Sequence, residues 1–437
     1  MVWMKRLIIG CVLVLLFLVG LIAGFFWYRA VNQTAINLPE DTQSIMRVEV
    51  DRLFWELLPE MLGDAFTDQR TGDSVSDFGL RDWWQIARSV PAVCYFYSLA
   101  DQPDRYYSHF SVRNSRTMDR FLVEKLKLQR DSSASMCVYR QRFAQVIIQG
   151  NDMHVLLGRG LDDMALDTLV ESAKTADDQL RSTEDFLSAH EVVKFEDLMY
   201  FDRNGNQMGL DFGSGMVELE GRMSASFLNI PEHSKAGQFL DDDVFYGYLN
   251  TDLRKLLPIV QKHVEQFDVS EDQLTPYLGN FLDFRIGNET VSQTDTIVTY
   301  EYDENFQQTE TLTTQTLQVP ELSVRLAASP HLLAHLPDKL FYTFQKSHNG
   351  GLIQLSTMDS AIVNLPSGSS YPFQLFYRRG DSSRHFESMS YKVLDAVQSV
   401  NIQGERGGVS TLDLHGKIVL GASSNHALLT LLDGVED

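Results

Sequence analysis

Two histidines stand four residues apart in His331-Leu-Leu-Ala-His335. On a helix that spacing puts both imidazoles on one face, as zinc sites require. The metalloprotease form also needs Glu directly after the first His. Leu332 stands there and no later ligand follows, so the pair reads as surface or interface histidines. Asp241-Asp242-Asp243 and the turn Asp202–Asn206 offer oxygen donors of the kind Ca²⁺ takes. An EF-hand loop needs Gly sixth and Glu twelfth. In Asp202–Asn206 the Gly is fourth, so the two read as a helix-capping acid cluster and a turn. A nucleophile elbow needs G-x-S-x-G. Neither Gly213-Ser214-Gly215 nor Gly368 with Ser367, Ser369 and Ser370 has that spacing, and His190-Glu191 has no second His in register. There is no P-loop and no G-x-G-x-x-G. With 59 acidic residues in the chain, any single carboxylate pair carries little information. No catalytic residue can be named, and no metal or cofactor is expected.

Three cysteines are present. Cys94 and Cys137 lie in the β-like runs AVCYFYS and SMCVYRQ. In an oxidising compartment they can form one disulfide; equally, two buried thiols pack as small hydrophobes. Spacing does not choose between these, because a bridge is decided by the Cα separation. Asn32-Gln33-Thr34 and Asn288-Glu289-Thr290 fit the glycosylation triplet, which matters only where the host glycosylates.

These residues need elements to hold them. Ser44–Val50 alternates as a strand. Asp51 caps a following helix whose Leu53, Phe54, Leu57 and Leu58 share a face, with Pro59 bending it. Ala92–Ser98 and Arg105–Val112 read as strands, and Ser115–Lys127 as a helix. Strands follow at Met136–Phe143, Gln145–Gln149 and His154–Gly158, then a helix over Leu161–Lys174. Asn204-Gly205 predicts a hairpin turn between LMYF and QMGLDF.

The pattern then restarts. VEVDRLFWELLP (48–59) is echoed by GYLNTDLRKLLP (247–258), SVRNSRTMDRFL (111–122) by SVRLAASPHLLA (323–334), and VELEGRMSA (217–225) by LDLHGKIVL (412–420). In the first echo Asp51 and Asn250 take the capping place. A polar, Thr-rich hairpin is expected at 294–302 and 309–319, as an insertion in the second copy. This predicts two similar lobes, 43–242 and 243–437.

Ahead of them, Leu7 to Tyr28 is an uncharged apolar run of 22 residues. As a helix it reaches about 33 Å, enough to cross a bilayer. Lys5 and Arg6 precede it, and Phe25, Phe26, Trp27 and Tyr28 close it as an aromatic belt. That predicts a cytoplasmic tip (1–6), a transmembrane signal anchor (7–28), a linker (29–42) and an exported body. A cleaved signal peptide is the competing reading, but the run exceeds the usual apolar core and FFWYRAVNQTA offers no A-x-A site. Cys11 follows Gly10 too early for a lipoprotein box, and reads as a membrane-buried thiol. The net charge of −22 argues against nucleic acid and against lying on anionic lipid.

One anchor followed by FSVRNSRTMDRFL, MHVLLGRGLDDMALDTLVESA and STEDFLSAH resembles uncharacterised bacterial envelope proteins, a family of unknown function with a duplicated ectodomain. The resemblance implies a single-pass inner-membrane protein whose body faces the periplasm, and it carries no active-site residues across. The expected fold is α+β: a transmembrane helix, then two lobes of antiparallel sheet with packed helices. The expected role is non-catalytic binding of an envelope protein or an apolar ligand, or scaffolding. The alternative is a tethered hydrolase using acidic residues. An apolar cleft without converging titratable groups favours the first, and close buried carboxylates in a cleft favour the second.

Overall fold

The computed structural model describes residues 24, 29, 37–67, 80–133, 136–141, 143–158, 161, 180–187, 196–224, 234–235, 240–257, 271–302, 307–336, 339, 342–358, 367–369, 371–380, 396–408, 411–421, 426–428 and 430. The chain divides into two compact units, 1–214 with 424–437, and 215–423.

In the first unit, the described chain runs β1 (Asn37–Pro39), β2 (Thr42–Glu49), α1 (Val50–Thr67), α2 (Leu80–Ser89), β3 (Val93–Leu99) and β4 (Gln102–Ser111). There follow α3 (Ser115–Arg120) with a π turn (Phe121–Lys125), then β5 (Gln129–Ser133), β6 (Met136–Gln141), β7 (Ala144–Gln149) and β8 (Asp152–Gly158). Last come β9 (Leu180–Ser182), α4 (Thr183–Leu187), β10 (Leu198–Asp202) and β11 (Gln207–Gly213). The main sheet has the order β11-β10-β2-β3-β4-β8-β7-β6-β5, every pair antiparallel.

Both faces of this sheet are covered. Val146 and Ile148 of β7 and Met153 and Val155 of β8 bury on the side of Met118 and Leu122. Ile147 and Leu156, the intervening residues, bury on the other side with Tyr107 and Val138. That is why VII and VLL read as unbroken apolar runs rather than as alternation. Asn114 caps α3, accepting from the Thr117 N–H at 3.2 Å. The Asn-Gly turn forms as expected: Gly205 takes φ 81°, and Asp202 Oδ1 accepts from the N–H groups of Asn204 and Asn206.

The second unit contains β12 (Met216–Ser224), β13 (Ser234–Lys235), β14 (Asp243–Leu249), a 3₁₀ turn (Leu253–Lys255), α5 (Glu271–Leu274), a 3₁₀ turn (Thr275–Tyr277), β15 (Leu278–Tyr302) and β16 (Gln308–Ala328). A 3₁₀ turn (Pro330–Ala334), β17 (Gln345–Asn349), β18 (Leu352–Ser356), β19 (Ser367–Ser369), β20 (Phe373–Arg378), β21 (Val397–Arg406) and β22 (Thr411–Leu420) complete it. Its sheet runs β12-β22-β21-β20-β14-β15-β16-β18-β17.

Named by chain position, β11-β10-β2-β3-β4-β8-β7 and β21-β20-β14-β15-β16-β18-β17 have the same order. The third echo behaves differently from the other two. VELEGRMSA and LDLHGKIVL form β12 and β22, which pair along their whole length from Met216↔Val419 to Ser224↔Thr411. Asn250 does not cap; Asp252 does, accepting from the Arg254 N–H. The Thr-rich hairpin is the outer part of β15 and β16, in register from Thr290↔Pro320 to Tyr302↔Gln308.

The α+β expectation with an N-terminal transmembrane helix is corrected. Among the described residues antiparallel strands dominate, helices are few and mostly short, and several segments with helical spacing form single 3₁₀ or π turns. The transmembrane, single-pass and signal-anchor expectation is corrected with it. Among the described residues no helix is long and apolar enough to cross a membrane. Apart from Gly24, the run Leu7–Tyr28 lies outside the described residues. The expected helix over Leu161–Lys174 lies, apart from Leu161, outside the described residues, as do His190-Glu191 and Asn32-Gln33-Thr34.

Candidate functional site

Helix α1 has two working faces. Val50, Leu53 and Leu57, at i, i+3 and i+7, look into the first unit beside Phe54. Arg52 and Glu56, at i and i+4, lie on another face and pair at 3.1 Å. Each face builds one candidate site.

The apolar face closes a cavity of 440 Å³, within the range of roughly 300–1,000 Å³ usual for small-molecule sites. Ile86 and Ala87 of α2 and Met118, Phe121 and Leu122 of the α3 segment continue its wall. Its floor is the sheet, through Phe96, Phe110, Val146, Met153 and Val155. Leu428, from the C-terminal segment, also lines it. Cys94 belongs to this wall. Burial pushes its thiol up to about 12, so at neutral pH it is one more uncharged side chain.

The polar face meets a carboxylate cluster. Glu56, Asp197 and Asp211 each bring an oxygen within 4.8 Å of the others. The β10–β11 hairpin and its approach carry the two aspartates. Asp197 is fully buried, and its Oδ2 accepts from the Phe212 N–H at 2.7 Å. Arg52 reaches Asp197 Oδ1 at 3.0 Å, pairs with Asp211 and lies 3.8 Å from Glu196. Burial raises Asp197 to about 7, against the pull of the Phe212 N–H; Glu56 and Asp211 add to the rise and Arg52 opposes it. His426 sits 3.6 Å from Glu56 through Nε2, while its Nδ1 accepts from the Leu428 N–H. A Ser214↔His426 bridge anchors this segment.

Three carboxylates this close are a ligand set for a hard cation, but here a guanidinium occupies the set. A cation would have to displace Arg52. Nor does the cluster serve the cavity, since none of Arg52, Glu56, Asp197 or Asp211 lines it. Its chemistry is to tie α1 to the hairpin and to the C-terminal segment.

A second buried tie fixes the entry to α1. Arg29 pairs with Asp51 at 3.0 Å and donates to the Val90 carbonyl at 2.7 Å and to that of Ala87. Burial raises Asp51 to about 6, opposed by Arg29.

Elsewhere the residues with candidate chemistry are brought to other ends. Cys94 and Cys137 are free thiols, on β3 and β6, and Cys137 Sγ accepts from Arg130 at 3.4 Å. His331 and His335 lie on and after a 3₁₀ turn rather than an α-helix; His335 stacks on Tyr277, ring centres 5.3 Å apart. Asp243 is buried against Arg285, and its Oδ2 accepts from the Leu240 N–H. Asp242 pairs with Arg285 at 3.3 Å, so this acid cluster too is answered by arginine. Asp202 spends its oxygens on its own turn. The sequence signal for the cavity was present in the helical spacing of α1. The carboxylate cluster had none, because Glu56 stands 141 and 155 positions from the two aspartates (197 − 56 and 211 − 56).

No protein-family model and no curated protein matches the chain. Solved structures of TP0453 show a faint likeness. Crystal form IV is 8% identical with a TM-score of 0.26, covering 44% of this chain and 81% of that one. Form III is 8% identical with a TM-score of 0.23, covering 72% and 89%. Form I is 7% identical with a TM-score of 0.21, covering 72% and 87%. At these scores the likeness carries no argument about the fold or role of this chain.

Proposed function

We propose that the chain is a non-catalytic binding protein that holds an apolar ligand in the first unit. The observation that carries this reading is the 440 Å³ cavity walled by α1, α2, the α3 segment and one sheet face. A well-packed interior leaves few voids larger than a water molecule. A pocket of this size, nearly free of polar groups, is suited to apolar guests. Such binding needs no catalytic group, which agrees with the absence of a catalytic motif in the sequence. The hydrolase reading draws on the Glu56–Asp197–Asp211 cluster. It is the weaker of the two, since Arg52 fills the cluster and the cavity wall does not include it.

The test is binding of the uncharged dye N-phenyl-1-naphthylamine to delipidated protein. Saturable, one-to-one fluorescence enhancement is expected, lost in Ala144→Phe and in Val146→Phe, which fill the cavity from β7. Enhancement that survives in both filled variants places the dye elsewhere and overturns the reading. Native mass spectrometry of protein purified without delipidation then weighs any natural occupant.

A further inference from the structure

The cavity wall is apolar except at one end. Lys125, Lys127 and Gln141 supply its polar lining; strand register brings Gln141 near the start of β5, which Lys127 precedes, and Lys125 ends the π turn two residues before Lys127. β6 ends at Gln141 opposite Ala144, where β7 begins. Ala144 in turn faces Leu157, near the end of β8. β5 starts on the same edge, since Gln129 pairs with Arg140, and Lys127 stands two residues before it. The wall at Val50, Leu53, Phe110 and Met153 carries no charge.

Two further features mark this end. Lys127 takes φ 52°, and among the described residues it is the one non-glycine with positive φ. There it follows the π turn, with the Leu128 N–H donating to the Leu122 carbonyl at 2.9 Å, a left-handed helix end. Phe143, 44% exposed, tops the β6–β7 turn beside it. In a chain of net charge −22, the charged residues among the cavity's lining are these two lysines. A lysine stem extends an apolar wall while its ammonium reaches water.

We propose that the ligand is a single-chain amphiphile with an anionic head, its hydrocarbon in the cavity and its head at Lys125 and Lys127. The inference rests on the apolar-ligand reading and adds the charge and the orientation. A carboxylate and a phosphate monoester share this chemistry, so a free fatty acid and a monoacyl phosphate are two sources that experiment separates.

The experiment is displacement of N-phenyl-1-naphthylamine from delipidated full chain by dodecanoate, monododecyl phosphate and dodecanol. Two exposed charge contacts are expected to give the anions roughly a 3–10-fold lower midpoint than the alcohol, with an advantage that shrinks as salt rises. Lys125→Gln/Lys127→Gln should erase the advantage and leave the dodecanol midpoint unchanged, which also shows that the variant is folded. The better of the two anions identifies the head group. Anions no better than dodecanol, or an advantage that survives in the double variant, overturn this inference and leave the apolar-ligand reading standing. Failure of the dye and of dodecanol alike removes both.

Discussion

Asp197→Asn should make the protein more stable, with an advantage that grows between about pH 4 and about pH 7 and is complete above that. Asp197 is fully buried, and its carboxyl is raised from 3.8 to about 7, chiefly by burial. Its folded pKa therefore lies above its unfolded one. In the native state it keeps a proton that the unfolded chain gives up, so its contribution is complete below about pH 4 and is lost as pH rises through about 7. A difference of about three units, at about 1.4 kcal/mol each, bounds the penalty of the ionised form at about 4 kcal/mol. Asparagine keeps an oxygen for the Phe212 N–H and removes the charge, while Arg52 retains Glu56 and Asp211. The assay is urea unfolding of wild type and variant at pH 4, 6 and 8.5. The variant's advantage should be near zero at pH 4 and reach about 1–4 kcal/mol at pH 8.5. An advantage independent of pH, or a variant that is weaker at pH 8.5, refutes the argument. The titration step belongs to a set that includes Glu56 and Asp211, so Glu56→Gln should move its midpoint downward.

Other outcomes follow from the same geometry. Arg52→Met leaves buried Asp197 and its neighbours without their cation, and should cost about 3–5 kcal/mol at pH 8 and less at pH 5, read by urea unfolding. Cys137 should react with Ellman's reagent in the native state while Cys94, with its thiol held near 12, reacts only on unfolding; peptide mass mapping assigns the sites. Phe281→Ala, at a fully buried position in the second unit, should cost about 3–5 kcal/mol and leave dye binding by the first unit unchanged.

The local elements were legible in the sequence because their causes are local. Asn204-Gly205 made its turn, Thr294–Tyr302 and Thr309–Val319 made their hairpin, and α1 displayed its apolar stripe at Leu53, Phe54 and Leu57. Each depends on residues within a few positions, so periodicity and turn chemistry suffice. Strand β2, which feeds α1, and β14 hold corresponding places in the two sheet orders. Spacing at His331 and His335 misled, since Pro330 opens a 3₁₀ turn in which i and i+4 are not stacked as on an α-helix. The balance of strand over helix was not legible, because buried strands covered on both faces lose their alternation and short apolar runs are ambiguous.

What tertiary structure alone decided is where distant residues meet. Pairing of β12 with β22, and of β10 with β2, joins segments 150 or more positions apart, and no local rule selects those partners. The cavity exists because helix packing on β3, β4, β7 and β8 stops short of closing. Its charged end exists because register sets Gln141 near the start of β5, where the π turn with Lys125 and then Lys127 lead in. Burial raises Asp197, and desolvation is a property of surroundings that only the folded chain assembles.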